Sequence, residues 1–91
     1  MSALSTDEKE HVFQRIKVMS NRYRFEILLL TQEDTPSIAE LSAKTKLAYN
    51  KCADYVTALE KQGLVTKIKD GREVRVKSTM SLKLHDLHFE R

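Results

Sequence analysis

The sequence predicts a mainly α-helical fold closed by one β-hairpin, an α+β arrangement, and three observations predict it. Apolar residues recur at three- and four-residue spacing through the first two-thirds of the chain. Ser-x-x-Glu signals, at Ser5 to Glu8 and Ser37 to Glu40, mark helix starts within that region. After Gly63 the period changes to two, with β-branched residues alternating with charged ones on either side of Asp70-Gly71.

Each element follows from its own residues. Ser5-Thr6-Asp7-Glu8 caps a first helix over about 6–18, in which Val12, Ile16 and Met19, with Phe13 beside them, keep helical spacing. Ser20-Asn21 caps a second helix to about Gln32, with Tyr23, Ile27 and Leu30 on its inner stripe. A polar turn to Pro36 precedes a short third helix, Ser37 to about Thr45, that turns Ile38 and Leu41 inward. Lys46-Leu47 leads into a fourth helix, about 48–62, whose Cys52, Val56 and Leu59 face the core, and Gly63 ends it. Leu64–Lys69 and Glu73–Ser78 flank the hairpin turn, Val74 and Val76 packing while Glu73, Arg75 and Lys77 stay wet. Met80, Leu84 and Leu87 suggest a short last helix.

Composition narrows the function. A chain of 91 residues fits one domain, 1–91, and is small enough for a dimer to be the stable form. Hydrophobic residues at 41% and charged residues at 32% suit a folded chain rather than a disordered one. The longest apolar run, Ile27 to Leu30, is far below a membrane span, and the first residues lack a signal-peptide pattern, so no membrane partner and a cytoplasmic location are expected. Cys52 is the single cysteine, which excludes an internal disulfide and thiolate-rich metal sites; on an apolar face it reads as a small core residue. With no Gly-rich phosphate loop, no activated nucleophile and no clustered His, no enzyme or cofactor is expected, and the sequence identifies no small-molecule ligand. The net charge is +3, and residues 63–78 alone carry +3. A local basic stripe on a near-neutral body is the footprint of a nucleic-acid contact, or else a solvated hairpin.

Two short helices joined by a tight turn, then Gly63 and a basic hairpin, make a winged helix-turn-helix of about 37–62 and 64–78, with a short segment 79–91 after it. Met19-Ser20-Asn21-Arg22-Tyr23-Arg24-Phe25-Glu26-Ile27-Leu28 resembles the helix opening of ArsR-like regulators. Ser37-Ile38-Ala39-Glu40-Leu41-Ser42 and Leu59-Glu60-Lys61-Gln62-Gly63-Leu64-Val65 resemble two further stretches of ArsR-like and MarR-like proteins. The resemblance, over about 12–78, implies a homodimeric regulator of transcription that binds double-stranded DNA. Two departures accompany it. The Cys-x-Cys pair of metal-sensing members is absent from the third helix, and the turn carries Lys46 where Gly is common.

By position, the resemblance turns Lys46, Ala48, Tyr49, Asn50, Lys51, Ala53, Asp54 and Thr57 toward DNA. Asn50 suits adenine through its amide, or else caps the helix; Asp54 faces away or accepts from a cytosine amine. Lys46 and Lys51 suit phosphate, with Ser37 and Thr45 as neutral contacts. In the wing, Arg72 at the tip is expected in the minor groove and Lys67, Lys69, Arg75 and Lys77 along the backbone. Arg24 matches a family arginine that supports structure or touches phosphate. Val12, Ile16, Leu84 and Leu87 are the expected dimer contacts. His85-x-x-His88, with Asp86 and Glu90, resembles half of a zinc site, but the second Asp-x-His set is missing and no metal is expected. A non-specific architectural DNA binder and a protein-interaction winged helix are the alternatives.

Overall fold

The computed structural model describes residues 5–81, apart from the side chains of Val18 and Met19. Local capping chemistry starts three of the four helices among the described residues. In α1, Thr6–Met19, the Ser5 hydroxyl accepts from the Glu8 amide at 3.1 Å and the Glu8 carboxylate accepts from the Ser5 amide at 2.8 Å. In α2, Arg22–Leu30, Asn21 Oδ1 accepts from the amides of Tyr23 and Arg24. In α3, Ile38–Thr45, Ser37 and Glu40 repeat the reciprocal arrangement of α1. Each satisfies amides that the first helical turn leaves without partners.

The fourth helix, α4, Tyr49–Lys61, has Ala48 at its N-cap and no side-chain cap. Its end is a Schellman motif: Gly63, at φ 73°, donates to Glu60 O at 2.9 Å, and Leu64 donates to Leu59 O at 3.0 Å. Lys46 does the equivalent work after α3. It adopts φ 62°, ψ 30°, and Leu47 donates to Ser42 O at 3.1 Å.

Strands β1, Val65–Asp70, and β2, Glu73–Ser78, pair antiparallel with Val65 opposite Ser78 and Asp70 opposite Glu73. The two-residue loop is therefore Gly71-Arg72, one position beyond the expected Asp70-Gly71. Gly71 has φ 64° and Arg72 a negative φ, the pattern of a type II′ turn, which needs glycine first. The segment between α2 and α3 lies along β2, where Val76 donates to Pro36 O at 2.9 Å and Ser78 to Thr31 O at 3.2 Å.

Ile27, Leu28, Ile38, Leu41, Cys52, Val56, Leu59, Leu64, Val65 and Val76 form the core where α2, α3 and α4 meet the hairpin. Leu47, Ala53, Tyr55, Val74 and Met80 pack around it. Two expectations change. The second helix stops at Leu30, because Thr31 leaves helical geometry and turns its hydroxyl onto Leu28 O. Tyr23 is 39% exposed, and Leu28 rather than Tyr23 fills the interior. No side chain described on α1 is buried. Residues 82–91, with Leu84, Leu87, His85 and His88, lie outside the described residues.

Candidate nucleic-acid interface

The solvent face of α4 follows from its core face. With Cys52, Val56 and Leu59 buried, the helical period leaves Tyr49, Asn50, Lys51 and Asp54 exposed, next to exposed Ala48 and Lys46. Asn50 lies in the first turn with its side chain in solvent and Ala48 at the cap, so the capping alternative for Asn50 is removed. The uncapped start also leaves the first-turn amides of α4 open to an acceptor at the positive end of the helix. Ala53 is half-buried against the core, and Thr57 accepts from Lys67 Nζ at 3.0 Å, so neither stands free on this face.

An aromatic and cationic cluster braces α4 against α2. Tyr23 and Tyr55 stack with ring centroids 5.8 Å apart at 18°, while Lys51 Nζ lies 5.4 Å and the Arg24 guanidinium 5.6 Å from the Tyr55 centroid. Arg24 Nε is buried without a hydrogen-bond partner among the described residues, which suits a supporting role. Sequence reasoning missed Tyr55 here. Its signal was the one-turn spacing to Lys51.

The wing divides its cations. Alternation along the strands puts Lys67 and Lys69 on the face of Val74 and Val76, and Arg75 and Lys77 on the other. Lys69, Arg72 and Lys77 are exposed and have no ion-pair partner among the described residues. Lys67 is engaged, its ammonium 3.4 Å from Glu60 as well as bonded to Thr57. Arg75 is engaged more fully, by Asp70, Glu73, Glu40 and the Thr35 carbonyl. Three carboxylates around one guanidinium repel a phosphate, so the backbone contact expected of Arg75 is withdrawn, and that of Lys67 with it. Ser37 and Thr45 are likewise not available: both are buried, Ser37 closing its capping box and Thr45 donating to Leu41 O at 2.7 Å.

Cys52 is fully buried, its sulfur 3.9 Å from Ile38 O, and burial pushes its thiol pKa up, away from the reactive thiolate. No helix among the described residues is long and apolar enough to cross a membrane.

Solved structures share this fold. HlyU from Vibrio cholerae superposes with a TM-score of 0.77 at 22% identity, over 84% of this chain and 83% of that one. The homodimeric winged helix-turn-helix DNA-binding domain of Mb0332 from Mycobacterium bovis gives 0.74 at 19% identity, over 88% and 77%. An ArsR-like transcriptional regulator from Rhodococcus sp. RHA1 gives 0.69 at 26% identity, over 77% and 66%. The architecture is thus one shared with an ArsR-like regulator, as the sequence resemblance implied. No curated protein matches the chain in sequence. A model of winged helix-turn-helix DNA-binding proteins matches residues 20–66, more than half of the chain, and the protein belongs to that family.

Proposed function

We propose that the protein is a sequence-specific regulator of transcription that binds double-stranded DNA as a homodimer. The observation that carries this reading is the uncovered face of α4: Tyr49, Asn50 and Asp54 stand in solvent, with Lys46 and Lys51 beside them. A helix of this kind fits the major groove with its first turns at the base edges. Asn50 pairs with adenine there, Lys46 and Lys51 meet phosphates, and Lys69, Arg72 and Lys77 extend the contact along the wing. The net charge of +3 is small for a coat that relies on phosphate attraction alone, which favours base readout over the architectural alternative.

The dimer rests on α1. Val12, Phe13 and Ile16 are 44%, 55% and 57% exposed and lie on adjoining positions of a helix whose described side chains bury nothing. An isolated helix of 14 residues is marginal in water, and pairing with a second α1 covers this stripe.

The experiment is duplex binding against salt with the wild type and Asn50→Ala. Affinity should fall steeply with salt, and a selected site should be preferred over random duplex by about 10³ or more. Asn50→Ala should reduce that preference. An unchanged ratio removes Asn50 as a base reader, and absence of any salt-sensitive binding removes the DNA-binding reading and turns attention to protein partners.

A further inference from the structure

Arg75 occupies a position that neither phosphate contact nor solvation explains. Its Nε donates to Asp70 Oδ2 at 3.1 Å and its Nη2 to Glu73 Oε2 at 3.4 Å, both beside the wing tip. Its Nη1 reaches the other way, to Thr35 O at 2.9 Å and to Glu40 Oε1 at 3.6 Å, at the entry to α3. The backbone at Arg75 bridges to Ser37. One forked side chain thus joins the last paired residues of the wing, Asp70 and Glu73, to the helix-turn-helix.

The wing needs such a tie. Its buried residues end at Val76, and Arg72 lies four residues further on, roughly 13 Å of strand by the rise per residue. A two-stranded ribbon is marginal by itself, so a small swing at the base moves the tip by several ångströms.

We infer that Arg75 is a positioning residue: its guanidinium holds the wing against α3 at the angle from which Arg72 at the tip reaches the DNA. This rests on the DNA-binding reading above. It makes Arg75 necessary for binding without contact to DNA, and it makes the fork, not the charge, the working feature. Glu40 gains a second role, closing the α3 cap through Ser37 and receiving the strut from Arg75.

Two measurements test it, on the full chain with Arg75→Lys and Arg75→Met. In the protein without DNA, hydrogen exchange of the Ile68–Val74 amides should quicken about tenfold in both variants while α4 amides keep their rates. Unchanged wing rates overturn the strut, and so does an equal rise in α4, which marks general destabilisation. The second is a double-mutant cycle with Arg72→Ala on a fluorescent 30-base-pair random-sequence duplex. Arg72→Ala should weaken the wild type about fivefold and the Arg75→Lys protein less than twofold, since its tip is already displaced. A full fivefold loss in both backgrounds, or wild-type affinity in Arg75→Lys, overturns the proposal in favour of a simple charge contact. Wild-type protein that binds no duplex overturns the role in binding together with the DNA-binding reading, and the exchange rates distinguish that case from failure of the strut.

Discussion

Replacing Lys46 with glycine should make the protein more stable and a poorer DNA binder. Lys46 adopts φ 62°, the left-handed region, at the end of α3, where Gly63 does the same work at the end of α4. That conformation costs a residue with a Cβ about 1–2 kcal/mol. Glycine removes the cost but returns about 0.5–1 kcal/mol through the greater freedom of the unfolded chain. Loss of the ammonium beside the C-terminal end of α3 takes away about another 0.3 kcal/mol. The balance is a gain of about 0.5 kcal/mol, a Tm rise of about 2–4 °C in a domain of this size. On DNA the same change removes one cation from the turn before the recognition helix. The slope of log affinity against log salt should flatten by about 0.9, with about fivefold weaker binding at moderate salt. Thermal unfolding and a salt series of duplex binding read the two effects. Lys46→Asn, uncharged but tolerant of this backbone region, should bind like the glycine variant. A Tm that falls refutes the strain argument, and an unchanged salt slope refutes the phosphate contact.

Four further outcomes follow from the same geometry. Ala48→Asp supplies the cap that α4 lacks, so stability should rise by about 1 kcal/mol, while the added carboxylate faces phosphate and duplex affinity should fall; equal affinity would remove the α4 start from the interface. Ile16→Asp places a charge in the exposed stripe of α1 and should shift sedimentation from a dimer toward the 10.5 kDa chain; a wild type already at 10.5 kDa at micromolar concentration sinks the dimer. Leu59→Ala empties a fully buried position at the end of α4 and should cost about 2–5 kcal/mol, enough to unfold much of the population, as circular dichroism would show. The Glu40 carboxyl sits below its ordinary pKa, chiefly because the Ser37 amide donates to it, against a raising effect of burial and with help from Arg75. A lowered pKa stabilises the fold above the unfolded value and loses that contribution as pH falls through the folded one. Acid melting from about pH 4.5 downward should therefore be flatter in Glu40→Gln than in the wild type, and identical acid limbs would remove Glu40 from the linkage.

The elements of this protein were legible in the sequence because their determinants are local. Ser5 with Glu8, and Ser37 with Glu40, meet across three residues, and Gly63 answers a left-handed backbone at its own position. Cys52, Val56 and Leu59 face the core because helical spacing puts them there. The outward face of α4 is the complement of that stripe, so the exposure of Asn50 and Asp54 came with it.

Tertiary structure decided which charged groups remain free. Counted along the chain, Arg75 and Lys67 are equal members of a basic wing. In the fold, Arg75 meets Glu40 and the Thr35 carbonyl from a distant part of the chain, and Lys67 meets Thr57 and Glu60 on α4. On α1 the spacing by itself is that of any core-facing helix; Val12 and Ile16 were expected at a dimer contact, and in the fold they and Phe13 face solvent. Periodicity shows that an element has an apolar side, and caps show where it begins. What covers that side, and which cation has already found its anion, depends on chains of contacts that only the packed molecule brings together.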